Sequence, residues 1–273
     1  MTVLAPGRAK AVSEEYGTAI ATIYDDIYGE LEASSPEIIA LRNLVPPSDV
    51  VRTIVELGIG TGRVLGALGR ALQDEAGLRL IGIDGSPELL ARSSTRYPDL
   101  DLRLAEADFS SDAVLDVVEA GSADLVLCVC ASFSMLPDRE SQGATLRNIA
   151  AMLARDGVAV VETHSPSFVR EVIGVDPTAM FIPYPRHETG LVCFSSVDDG
   201  IWRMRQVWVD GEESTTVLET SLLTPPHTLA DLAAAAGLEV VALTASLAGA
   251  EYVEASTPMY AVTLRRAAAR AAA

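Results

Sequence analysis

The chain has 273 residues, 49% of them hydrophobic and 21% charged, the balance of a folded protein with enough length for one large domain or a domain with an insertion. Lys and Arg number 20 against 38 Asp and Glu, so the net charge is −18 and the pI is near 4.5; that field repels phosphate backbones, and no nucleic-acid partner is expected. Mean hydropathy is +0.27, yet the longest apolar run, Leu125 to Leu136, holds two serines and falls short of the roughly 20 residues of a spanning helix, so no membrane partner is expected either.

From Ala11 to Leu31 the residues Tyr16, Ile20, Ile23, Tyr24, Ile27, Tyr28 and Leu31 recur at helical spacing, which predicts one amphipathic helix closed off by Pro46 and Pro47. Strand-like and helix-like stretches then alternate: strand Val51–Leu57, helix Arg63–Leu72, strand Arg79–Asp84, and a helix from Ser86 and Pro87 to Arg96. Strand Asp101–Ala105, strand Ala123–Cys130, helix Arg139–Leu153 and strand Val158–Thr163 continue the rhythm. Alternation of this kind implies right-handed βαβ units and a parallel sheet covered on both faces. After Thr163 a proline-rich irregular connection leads to three strands, Leu191–Val197, Ile201–Val209 and Thr215–Leu223, joined by Asp199-Gly200 and Asp210-Gly211, both hairpin signals. A helix over Leu229–Ala236, a strand over Leu238–Thr244 and a last strand over Met259–Leu264 precede an Ala/Arg tail read as frayed helix or disorder.

Three free cysteines, Cys128, Cys130 and Cys193, lack metal or redox spacing and point to buried thiols in the reducing cytoplasm. No apolar segment follows Arg8 and Lys10, so no secretory signal is expected. Three histidines without an H-x-x-x-H spacing or an acidic cluster suggest no metal site.

The most informative stretch is Val55-Glu56-Leu57-Gly58-Ile59-Gly60-Thr61-Gly62-Arg63, where three glycines separate a buried strand from a helix at the carboxyl edge of a parallel sheet. The dinucleotide pattern G-x-G-x-x-G fails, with Arg63 or Leu65 at the third glycine position, and no Walker lysine follows. Asp84 ends the second strand about twenty residues on, and Ala107-Asp108-Phe109 follows the third strand.

These residues resemble the class I S-adenosylmethionine-dependent methyltransferases over Val51 to Thr163. The resemblance implies S-adenosylmethionine as cofactor, S-adenosylhomocysteine as its product, and a site built from Tyr16, Glu56, Gly58, Gly60, Gly62, Arg63, Asp84, Gly85, Ser86, Ala107, Asp108, Phe109, Cys128, Cys130 and Phe133. Asp108 would take the adenine amine. The segment Tyr24-Asp25-Asp26-Ile27-Tyr28 is similar to the Y-D-x-x-Y of small-molecule amine methyltransferases, and Ser246 to Tyr252 with Pro258 to Tyr260 is similar to the end of the cypemycin-type peptide α-N-methyltransferases. The implied fold is α/β, a doubly wound seven-stranded mostly parallel sheet whose last strand runs antiparallel beside the fifth. Its expected parts are an N-terminal helical lid (1–50), a Rossmann-like core (51–164), an irregular segment with an antiparallel substrate cap (165–223), the end of the core sheet (224–265) and a tail (266–273).

The expected reaction is methyl transfer to an amine of a small-molecule or peptide natural product, with His164 and Tyr24 as catalytic candidates; a homodimer is left open. Each residue also has a plain structural reading: strand-end solvation for Glu56 and Asp84, capping for Asp108, and packing for Tyr24, Tyr28, Trp202 and Trp208. His187 and His227 are read as structural or solvated. The rivals are an O-methyltransferase with a histidine base, a non-catalytic S-adenosylmethionine-binding protein and, more remotely, a dehydrogenase.

Overall fold

A computed structural model describes residues 15–45, 52–75 and 77–268. The main sheet has seven strands in the order β10-β11-β5-β4-β1-β2-β3. They are β1 (Arg52–Leu57), β2 (Leu78–Asp84), β3 (Leu102–Glu106), β4 (Ala123–Cys128), β5 (Leu153–His164), β10 (Leu238–Thr244) and β11 (Met259–Arg266). Strands β1 to β5 pair parallel and β11 pairs antiparallel with β5, as expected, while β10 pairs antiparallel with β11 at the sheet edge. The chain starts at β1 and winds outward both ways, so the switch point lies between β1 and β4, where an open α/β sheet leaves a crevice at its carboxyl edge.

Two apolar clusters cover the two faces of this sheet. One gathers Phe133, Leu146, Ile149, Leu229 and Tyr260 under α5 (Arg139–Met152) and α6 (Pro226–Ala235). The other gathers Ile38, Leu41, Leu65 and Leu68 from α2 (Pro36–Leu44) and α3 (Arg63–Ala71). Ser86 caps α4 (Pro87–Arg96) by accepting from the Leu89 N–H, and Asp138 caps α5 by accepting from the Ser141 N–H, so both helix starts follow the sequence signals.

A second, antiparallel sheet has the order β6-β7-β8-β9, with β6 (Thr178–Pro183), β7 (Thr189–Asp198), β8 (Ile201–Asp210) and β9 (Glu213–Leu222). Asp199 (φ +48°) and Gly200 (φ +74°) both occupy the left-handed region, as a two-residue type I′ hairpin requires.

Four expectations need correction. The insert has four strands rather than three, because β6 is an edge strand, where a proline without an N–H is tolerated. The N-terminal helix is not continuous: residues 15–20 are helical, 21–23 turn, and α1 covers Tyr24–Tyr28, while residues 11–14 and the Pro46-Pro47 pair lie outside the described residues. β4 stops at Cys128 because Cys130 (φ +54°) and Ala131 (φ +65°) adopt left-handed conformations that no strand can hold. Arg265 and Arg266 extend β11 rather than beginning a frayed tail. Helix α2 went unread although Ser35-Pro36 marks its start.

Glu56, at the end of β1, is not solvated. It is 2% exposed and accepts the Leu65 N–H at 2.9 Å, satisfying one orphan donor of the first turn of α3. Burial pushes its carboxyl up to about 8, against the opposing pull of the Leu65 N–H and Arg63. The unfolded chain releases this proton near 4.5 while the native protein holds it to about 8, so Glu56 makes stability fall as pH rises between those values. Glu56→Gln keeps the shape and the acceptor. In urea unfolding it should match wild type closely at pH 5 and exceed it by about 2–5 kcal/mol above pH 8.

Candidate active site

The glycine loop ends in three left-handed glycines, Gly58 (φ +74°), Gly60 (φ +57°) and Gly62 (φ +81°), each with a different neighbour. A Cβ on Gly58 would meet the Ser132 hydroxyl at 2.5 Å, and one on Gly62 would meet Ser93 Oγ at 2.6 Å and the Tyr97 ring at 3.2 Å. A Cβ on Gly60 would find only the Tyr24 phenol, at 3.8 Å, so the space above this glycine belongs to the cleft.

Asp84 organises the loop. Its Oδ2 accepts the Gly60 N–H at 2.8 Å and its Oδ1 accepts the Ser86 N–H at 2.9 Å. Asp108 Oδ1 accepts the N–H and hydroxyl of Ser110 at 2.9 and 2.6 Å, a turn that holds Phe109 in place. One cleft at the carboxyl edge is lined by Tyr16, Tyr24, Gly58, Gly60, Asp84, Gly85, Ala107, Asp108, Phe109 and Cys130 of the expected set, together with Leu89, Ser132, Met135 and Leu136.

The remaining expected residues are not brought to its wall. Glu56 lies beneath the loop against α3, Gly62 faces α4, and Ser86 is fully buried as a helix cap. Cys128 and Phe133 are fully buried in the core cluster, because the left-handed turn at Cys130 and Ala131 directs the chain away from the strand axis. Arg63 stands behind the wall: its Nη2 donates to Cys130 Sγ at 3.7 Å, and its Nε is buried without a hydrogen-bond partner among the described residues. An orphaned guanidinium N–H beside Tyr24 and Cys130 fits a carboxylate-bearing ligand in the cleft.

The N-terminal helices form one wall. Arg96 on α4 pairs with Asp25 and reaches Glu30 at 3.4 Å, and Thr61 Oγ1 lies 3.2 Å from Asp25, so α1 is fastened across the glycine loop. Ile20, Ile23 and Leu89 pack with Leu191, Trp208 and Val217 of the second sheet, which joins lid and insert. Burial pushes the Tyr16 and Tyr24 phenols up, so both remain protonated donors near neutral pH rather than bases. Burial likewise pushes the Cys130 thiol up to about 12, which removes it as a nucleophile.

His164 ends β5 beneath the insert, outside the lining of the cleft. Its ring meets Trp202 edge-on at 5.0 Å, and its Nε2 lies 3.6 Å from Glu219 Oε1. Trp202 and Trp208 do share one face of β8, as their even spacing implies, but they belong to separate apolar clusters. Sequence reading missed Glu219 and Gln206. Both stand on strands whose alternate residues are exposed, and a polar residue at a buried position of that alternation was the available signal.

Comparison with known proteins agrees with this geometry. Residues 54–157 match the methyltransferase domain family. The cypemycin N-terminal methyltransferase of a Streptomyces species is 28% identical over 220 residues, covering 79% of this chain and 84% of that protein. The glycine/sarcosine/dimethylglycine N-methyltransferase of Actinopolyspora halophila is 25% identical over 170 residues, covering 60% of this chain but only 27% of its own length. Among solved structures, the CcbJ methyltransferase of Streptomyces caelestis shares the fold with a TM-score of 0.77 at 20% identity, covering 94% of this chain and 99% of that one. DesVI of Streptomyces venezuelae shares it with a TM-score of 0.64 at 20% identity, covering 89% and 97%. The matched methyltransferase domain spans the glycine loop, Asp84 and Asp108, the elements that form the cleft, and the solved methyltransferases share the fold that carries them.

Proposed function

We propose that the protein methylates an amine nitrogen of a small-molecule or peptide natural product, using S-adenosylmethionine. The observation that carries this reading is the single cleft in which Gly60, Asp84, Asp108 and Phe109 meet the lid residues Tyr16 and Tyr24. The similarity to an enzyme named for N-terminal methylation of cypemycin supports a nitrogen acceptor. Bound there, the cofactor supplies a sulfonium-activated methyl group.

The chain's own residues would do the rest. Asp84 would accept from the ribose hydroxyls, Asp108 from the adenine amine, with Gly58, Gly85, Ala107 and Phe109 enclosing the nucleoside. Arg63, whose Nε has no hydrogen-bond partner among the described residues, would hold the methionyl carboxylate. Tyr16, Tyr24 and Cys130 would exclude water, which strengthens every fixed dipole facing the reacting atoms. Holding nitrogen, methyl carbon and sulfur in line can itself supply about 7–11 kcal/mol. His164 would accept the proton that an ammonium acceptor must lose.

Two measurements test this reading. Charge-assisted hydrogen bonds contribute about 1.5–3 kcal/mol each, so Asp84→Ala should weaken S-adenosylmethionine at least tenfold in calorimetry; unchanged affinity would remove the assigned nucleoside site. An α-amino group has a pKa of about 7.7–8.0, so at pH 8.5 much of it is already neutral. His164→Ala should therefore slow amine methylation by less than about a hundredfold at pH 8.5, with the loss growing at pH 6.5. A loss above about a thousandfold at high pH, with cofactor binding intact, would instead favour base-assisted O-methylation.

A further inference from the structure

The inner face of the second sheet is apolar at both ends. Leu191, Trp208 and Val217 pack against the N-terminal helices, and Cys193, Trp202 and Met204 pack against Val169. Between these clusters stands Glu219, 7% exposed. Gln206 Nε2 donates to its Oε2 at 2.8 Å and Ser221 Oγ donates to its Oε1 at 3.2 Å. Taking a carboxylate out of water costs several kcal/mol unless partners compensate, and two neutral donors compensate it only in part. A neutral side chain would fill this position at less cost.

Three further groups face that carboxylate. His164 Nε2 lies 3.6 Å from Oε1, beyond hydrogen-bonding distance, and has no hydrogen-bond partner among the described residues. The carboxylate also lies close enough to the Tyr16 and Tyr28 phenols for its charge to raise both. Tyr16 is the member of this group that lines the cleft, while Glu219 and His164 lie outside its lining. An anionic oxygen among aromatic rings is the chemistry that recognises an organic ammonium, by charge at one side and by ring faces at the other.

We infer that Glu219 is the residue that binds the acceptor, and that it selects a cationic amine over a neutral alcohol or phenol. The inference rests on the amine reading above and adds the group that recognises the nitrogen. Glu219 would hold the acceptor as ammonium beside His164. An N–H bond of the ammonium breaks as Nε2–H forms, and the imidazolium is then stabilised by the same carboxylate. The freed nitrogen lone pair forms the N–CH3 bond while the S–CH3 bond breaks, its electron pair passing to sulfur.

The test uses the full chain saturated with S-adenosylhomocysteine, with the fluorescence of Trp202, which touches His164, reporting titrations with benzylammonium and with benzyl alcohol. Wild type should bind benzylammonium saturably and at least tenfold tighter than benzyl alcohol. Glu219→Gln should lose that preference while keeping its affinity for S-adenosylhomocysteine and a melting temperature no lower than that of wild type, and Glu219→Asp should regain part of it. Equal binding of the two probes by wild type, no binding of benzylammonium, or an unchanged preference in Glu219→Gln would overturn the assignment. Should Glu219→Gln fail to fold, Glu219→Asp decides: a preference of tenfold or more that is insensitive to the shortened carboxylate also overturns it. Labelled-methyl transfer separates the two proposals. Transfer to phenols with none to amines defeats the amine reading, whereas amine transfer with an unchanged KM in Glu219→Gln defeats only the role of Glu219.

Discussion

Two backbone N–H groups converge on the carboxylate of Asp84, one from Gly60 in the loop after β1 and one from Ser86 at the start of α4. Without that carboxylate the two segments would present adjacent, unpaired donors at a buried sheet edge, and they would separate to reach water. Ser86 in turn caps α4, and α4 carries Arg96, whose guanidinium fastens Asp25 and Glu30 of the lid segment. The position of α1 against the glycine loop thus depends on a chain of contacts that begins at one buried acid.

The second layer of the site is built by non-local packing. The insert rests on the lid helices through Ile20, Trp208 and Val217, and it is tied to the core through Ser134 and Ser221, 3.3 Å apart, and through the Leu222 N–H on the Ser134 carbonyl at 2.6 Å. At its exit Arg139, Gln142 and Thr224 form a buried hydrogen-bonded group at the start of α5. These contacts set the distance between β9 and the end of β5, and hence the spacing of Glu219 and His164.

Charge follows the same logic on two scales. A net charge of −18 attracts cations from a distance, and the cofactor sulfonium is a cation. Close to the reacting atoms the ionisable groups are sheltered. Burial keeps the phenols of Tyr16 and Tyr24 and the thiol of Cys130 protonated, so these three act as neutral groups.

Local patterns in the chain determined the parallel sheet, the glycine loop, the strand-end Asp84, the turn at Asp108 and the Asp199-Gly200 hairpin, because each is specified by hydrophobic periodicity or by residues that tolerate a particular backbone conformation. The same patterns placed Glu56 at the right strand end but could not say that it is buried, nor that Gly58, Gly60 and Gly62 face Ser132, the cleft and Tyr97 respectively. The break in the N-terminal helix, the edge strand β6 and the meeting of His164 with Glu219 were decided only in the tertiary structure. Periodicity reports which side of an element is buried and says nothing of what it is buried against. That partner depends on how the two sheets dock, a sum of contacts between residues far apart in the chain.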